Sequence, residues 1–182
     1  ILRIADLEGL RLRAPSELAP VLDRFGVDAE FMPMGEVYTA ISKGTVDGLI
    51  APFDVLRAMR LAEVVKHVAI INIPRGAYPS RAINRASESR VPEPLRAAIA
   101  RSLPAWQEAM HAEVAKATDA GLRYARELGV RFSVMPPDEV ARFGVVYDEV
   151  ARARAADLDA RGMPGTAVLT EAHRIIRDRG FA

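Results

Sequence analysis

The run Leu10-Arg11-Leu12-Arg13 alternates leucine and arginine, so it reads as a β-strand with leucines on one face and arginines on the other. Arg13 then falls at the carboxyl end of a strand expected to be parallel to its neighbours, which is where open α/β sheets hold their ligands. A guanidinium there offers a rigid fork of donors that matches a carboxylate. A second reading stays open, in which Arg13 pairs with an acidic neighbour such as Asp47 or Glu36 and only holds the fold. Glu36 or Asp47 could serve as a carboxylate base, yet neither has an evident partner in the sequence. His67, His111 and His173 lie in different elements without metal-ligand spacing, and each reads as a surface or satisfied structural residue. There is no Gly-x-Ser-x-Gly, phosphate-cradling glycine loop, dinucleotide fingerprint or zincin motif, and no metal site or cofactor is indicated.

Composition narrows the partner. The chain has 182 residues, half of them apolar, with 25 basic against 24 acidic side chains. That suits one ordinary globular domain or two small ones. A net charge of +1 without long basic runs leaves no electrostatic footprint for nucleic acid or an anionic membrane. No uninterrupted apolar run approaches the roughly 18 residues of a spanning helix. The partner is expected to be a small molecule or another protein. The sequence contains no cysteine, which excludes disulfides and thiolate chemistry. It begins at Ile1 without an initiator Met or signal peptide and reads as starting mid-protein.

The elements that must position Arg13 alternate between extended and helical patterns, the signature of an α/β domain with a largely parallel sheet. After Pro15, Ser16 is a candidate N-cap, and Leu18, Val21, Leu22 and Phe25 share a helical face that stops at Gly26. Residues 29–34 are the next strand, Val37, Tyr38 and Ile41 mark a short helix closed by Gly44, and 46–51 form a third strand broken by Pro52. A helix over 53–65 carries Val55, Met59, Ala62 and Val65, and 68–73 reads as a buried strand. Residues 74–92 are rich in Pro, Arg and Ser and read as a crossing region, with Ala82-Ile83-Asn84 as a possible strand. Leu95, Ile99, Leu103, Trp106, Met110, Val114, Ala117, Gly121, Tyr124 and Leu128 then step by three or four residues. One stripe of that length predicts a helix near ~50 Å long, unless Pro104 kinks or splits it. A strand over 130–135, a helix opened by Pro136-Pro137 and ended by Gly162, and a last helix after Pro164-Gly165 complete the chain.

Three spaced stretches carry a family resemblance: Gly9-Leu10-Arg11-Leu12-Arg13-Ala14-Pro15, then Met32-Pro33-Met34-Gly35-Glu36-Val37-Tyr38-Thr39-Ala40-Ile41, then Gly44-Thr45-Val46-Asp47-Gly48. Together with Glu63-Val64-Val65-Lys66 and Ile83-Asn84-Arg85, the chain resembles the TRAP transporter solute receptors, the dicarboxylate-binding or DctP family, over nearly its whole length. The resemblance implies an α/β, periplasmic-binding-protein-like fold of the class II type, with a parallel-sheet lobe and a long lobe-spanning helix. It further implies a periplasmic receptor, not an enzyme, that closes on a small organic acid and delivers it to TRAP permease membrane subunits. Arg13 matches the arginine that grips the ligand carboxylate, and Met34 stands where the family usually has an aromatic lining the same pocket.

The departures point to a different ligand. Asp47-Gly48-Leu49-Ile50-Ala51-Pro52 replaces an Asp-Gly-Gln-Glu-Asn-Pro pattern, so a ligand-bonding asparagine becomes Ala51, beside Pro52. Ile71-Asn72-Ile73 stands for a Thr-Asn-His run. With Arg13, the expected ligand-binding residues are Met34, Ala51, Pro52, Asn72 and Ile73. With Met34, Ala51 and Ile73 the pocket should suit a more apolar monocarboxylate than a sugar acid or dicarboxylate. The family's N-terminal lobe is expected to be missing. Residues 1–73 with 113–182 would form the more complete lobe, and 74–112 the crossing segment and part of the second. Apolar surface exposed in that middle portion should be covered by another copy, a neighbour or the missing segment. A sensory ligand-binding domain of the same fold, and an enzyme using Glu36 or Asp47, are the alternatives.

Overall fold

The computed structural model describes residues 1–73 and 82–178 and divides the chain into two compact units. The first unit takes in Ile1–Phe31, the stretch from Ala69 and the chain from Ser133 onward; the second takes in Met32–Val68 and the chain up to Phe132. These boundaries follow packing and cut the chain at other points than the lobes expected from the resemblance. Seven α-helices and five strands occur among the described residues.

In the first unit, β1 (Arg11–Arg13) pairs in parallel with β2 (Asp28–Glu30), Arg11 facing Asp28 and Arg13 facing Glu30. A parallel pair needs a crossover, supplied here by α1 (Ala19–Asp23). The helix is shorter than the spacing of its apolar residues suggested, and it starts after Leu18 rather than at Ser16. Pro20 lies in its first turn, where a fixed φ and a missing N–H cost nothing. Gly26 adopts φ +70° and turns the chain into β2, as its position predicted. Leu12, Leu18, Val21, Leu22 and Val27 are buried beneath this crossover. Phe25 packs on Phe143 of α6 (Pro137–Ala160) with ring centroids 5.4 Å apart. The buried Glu139 of α6 accepts a 2.7 Å hydrogen bond from the Ile4 amide and pairs with Arg142, which ties the first residues to the last third of the chain. Helix α7 (Gly165–Asp178) packs along α6 so closely that a Cβ at Gly165 would lie 2.2 Å from the Ala155 carbonyl oxygen.

The second unit holds α2 (Met34–Ser42), β3 (Gly48–Leu49), α3 (Val55–Ala58), α4 (Arg85–Glu88) and α5 (Glu93–Glu127). The expected helix over 53–65 does not form as one piece. It stops at Met59, Arg60 takes the left-handed φ of +56°, and Leu61–Glu63 resumes as a single 3-10 turn. Residues 82–84 are not a strand. Asn84 instead caps α4, its side chain accepting from the Ala86 amide at 2.9 Å. The strands are shorter than their apolar runs, β3 most of all, and residues 74–81 lie outside the described portion. The long stripe forms one helix, α5, which passes through Pro104 without splitting. Its C-terminal part closes the core of the unit: Ala125 packs with Leu56, Ala62 and Val130, flanked by Phe53, Val65, Val68, Tyr124 and Phe132. Gly121 allows this approach, since a Cβ there would sit 2.0 Å from the Phe53 carbonyl oxygen. Strands β4 (His67–Ile70) and β5 (Arg131–Val134) pair with each other, and each straddles the boundary between the units.

Candidate functional site

Arg13 ends β1, and its parallel partner β2 ends at Glu30, so Arg13 stands at the carboxyl edge of the pair. The Ala14 amide donates to the Glu30 carbonyl at 3.0 Å, which fixes where the two chains leave the ladder. Arg13 is 7% exposed as a residue, an unusual state for an arginine unless it is held by its surroundings. Directly after β2, Phe31 projects its ring with 69% of the residue exposed. The guanidinium carbon lies 5.9 Å from the Phe31 ring centroid, a cation-π distance. A buried cation under an exposed aromatic, at the carboxyl end of parallel strands, can hold the charge of a small anion while the ring faces outward.

The other sequence-derived site residues fall into the two units. Asn72 and Ile73 belong to the first, as Arg13 does, and follow the carboxyl end of β4. Asn72 adopts φ +42°, a left-handed conformation that asparagine tolerates better than most residues, and Ile73 is half-buried. Met34, Ala51 and Pro52 belong to the second unit. Met34 opens α2, Ala51 and Pro52 follow β3, and all three are half-buried. Glu36 and Asp47 are exposed, Glu36 in the first turn of α2. Among the described residues there is no cluster of three or more His, Asp or Glu that could hold a metal ion.

A second polar constellation sits wholly in the second unit, and the sequence did not announce it. The Glu63 carboxylate accepts from Tyr38 Oη at 3.2 Å and Tyr124 Oη at 2.9 Å, and from Arg60 Nε at 2.7 Å and Nη2 at 3.1 Å. The Arg60 hydrogen bonds, then the one from Tyr124, hold the Glu63 carboxyl below the ordinary glutamate range. The same hydrogen bond raises the Tyr124 phenol. Tyr38 and Glu63 each lie in a stretch that carried the resemblance, but their meeting across 25 and 61 positions leaves no local pattern. A carboxylate with four donors directed at it is a structural clamp.

Two cavities lie elsewhere. One of about 240 Å³ is lined by Arg57, Ala120, Arg123, Tyr124 and Glu127, and one of about 150 Å³ by Arg152, Ala155, Thr166, Leu169, Thr170 and His173. Neither is lined by Arg13 or any other sequence-derived site residue; the first lies between α3 and α5, the second between α6 and α7. Among the described residues no helix is long and apolar enough to cross a membrane.

Comparison with known proteins places this geometry. A TRAP solute binding protein from Rhodoferax ferrireducens, solved in complex with copurified benzoate, superposes with a TM-score of 0.80 at 25% identity, covering 99% of this chain and 58% of that one. A TRAP periplasmic solute binding protein from Desulfovibrio salexigens with bound orotic acid gives a TM-score of 0.80 at 24% identity, over 97% of this chain and 57% of that one. Over 53 residues, 28% of this chain and 15% of the relative, the sequence is 36% identical to a monocarboxylate 2-oxoacid-binding periplasmic protein of Nostoc. The chain thus spans little more than half the length of these solved relatives. Residues 1–157 match the bacterial extracellular solute-binding proteins of family 7, a family of receptors and not of enzymes, and the chain belongs to that DctP family.

Proposed function

We propose that the protein is a periplasmic receptor that binds a small organic acid through its carboxylate and hands it to the membrane subunits of a TRAP-type transporter. The observation that carries this reading is Arg13: a buried guanidinium at the carboxyl edge of a parallel strand pair, in the stretch that matches the family. Arg13 is the carboxylate anchor, and Met34, Ala51, Pro52, Asn72 and Ile73 are ligand-contacting residues. Residues 1–73 with 113–182 act as the more complete lobe, and 74–112 contribute to the other. With Met34, Ala51 and Ile73 in place of more polar or aromatic residues, the favoured ligand is an apolar monocarboxylate. Support comes from benzoate in the Rhodoferax structure and from the 2-oxoacid monocarboxylates named for the Nostoc protein.

The test is a thermal-shift panel of organic acids on the protein in its complete form. Ligand at about 100 times its Kd stabilises the folded state by roughly 2.7 kcal/mol, a readable shift. An apolar monocarboxylate is expected to shift the melting temperature furthest, and Arg13→Ala to abolish the shift. Leaving a desolvated carboxylate without its cation commonly costs about 2–5 kcal/mol of binding. A variant that binds within a few-fold of the wild type would make Arg13 structural, and tightest binding of succinate or a sugar acid would sink the monocarboxylate assignment.

A further inference from the structure

We propose that Phe31 makes this receptor selective for aromatic carboxylates, its ring serving as the face on which the ring of the bound acid stacks; this rests on the reading of Arg13 as the carboxylate anchor. Phe31 is the first residue beyond β2, and Arg13 is the last residue of β1, so the strand register brings the two to one edge of the sheet. Phe31 is 69% exposed as a residue, while Arg13, whose guanidinium carbon lies 5.9 Å from the ring centroid, is 7% exposed. An aromatic left so open next to a buried cation contributes little to the core; its free area is available to a ligand.

The dimensions suit a flat acid. The ring centroid lies 5.9 Å from the guanidinium carbon, a cation-π distance of up to about 6 Å, and a ligand ring attracts the Phe31 ring when their centroids are about 4.5–7 Å apart. An acid whose carboxylate is held by the Arg13 fork carries its own ring out past the guanidinium and alongside Phe31. The guanidinium over one part of the ring and the ligand ring over another use the same π surface for two favourable contacts. Met34, which opens α2, cannot offer a π face. Phe31 provides one three residues earlier in the chain. A saturated ring of equal size fills the same space without the matched quadrupoles, and a short 2-oxoacid leaves the Phe31 face uncovered.

Isothermal titration of the complete protein with benzoate, cyclohexanecarboxylate and pyruvate tests this. Benzoate is expected to bind about 3–10-fold tighter than cyclohexanecarboxylate, although the saturated ring is the more apolar of the two. Phe31→Leu should abolish that ratio while keeping binding of cyclohexanecarboxylate within about 3-fold, and Phe31→Tyr should preserve it. Because Phe31 is exposed, these variants are expected to melt with the wild type, and circular dichroism confirms that before titration. Binding of acids without aromatic preference, or a preference that survives in Phe31→Leu, overturns the role of Phe31 and leaves the receptor reading standing. No saturable binding of any acid overturns both.

Discussion

At the level of a single residue, Glu63 is an anchor of the second unit, accepting hydrogen bonds from Tyr38, Arg60 and Tyr124. A general base works best when its pKa lies near the operating pH, which enzymes achieve by lifting carboxylates upward. Glu63 is driven the other way, by the Arg60 guanidinium first and the Tyr124 hydroxyl second. Its ionised form is what the surrounding donors favour, and it ties α2, the Leu61–Glu63 turn and α5 together. The sign of the resulting pH dependence follows. A folded-state pKa below the ordinary glutamate value of 4.5 contributes stability that is present above that value and lost as pH falls through the lowered one. Carboxyl NMR titration should therefore place Glu63 below 4.5, and acid unfolding of Glu63→Gln should lack the part of the acid limb due to this group. A Glu63 titrating at or above the ordinary value would show that the clamp does not persist in solution.

At the scale of elements, close approach of backbone to backbone decides which substitutions the fold accepts. Gly121 on α5 faces the Phe53 carbonyl, where an added methyl would meet oxygen at 2.0 Å and carbon at 2.9 Å. Backbone cannot swing aside as a side chain can, so Gly121→Ala should cost about 1–3 kcal/mol. Gly144 on α6 has nothing within 4 Å, and Gly144→Ala should be neutral or stabilising by up to about 1 kcal/mol. Paired thermal melts check both, with each kcal/mol moving the midpoint by about 2–4 °C. Equal melting temperatures would mean that α5 does not seat against residue 53. The same packing explains what could and could not be read beforehand. Alternating Leu and Arg foretold β1 with Arg13 at its end, and steps of three and four foretold α5. Val55, Met59, Ala62 and Val65 also step like a helix, yet Arg60 breaks it with a left-handed φ; Glu63 then meets Arg60 three residues back and Tyr38 and Tyr124 from distant positions. Phe31 escaped notice for a related reason: only the register of β1 on β2 brings it to Arg13.

For the molecule as a whole, burial along α5 is uneven, and stability should follow it. Near its C-terminal end Gly121 and Ala125 are buried in the core of the second unit. Toward its start Leu95, Ile99 and Leu103, one apolar stripe, are 57%, 52% and 50% exposed. Pro104 adds to the contrast, since it removes the hydrogen bond that an amide at that position would give to the Ala100 carbonyl. A helix held by tertiary packing at one end only opens from the other, because propensity alone leaves an isolated helix marginal in water. Hydrogen exchange on a chain of this sequence should therefore show protection rising along α5. Amides around 121–125 are expected to exchange on the order of a hundredfold or more slowly than those around 96–103. Uniform protection from end to end would mean that something covers the Leu95, Ile99 and Leu103 stripe in solution. Repeating the measurement across a dilution series would then tell what the cover is: protection supplied by a second copy falls away on dilution, whereas protection from the chain itself does not depend on concentration.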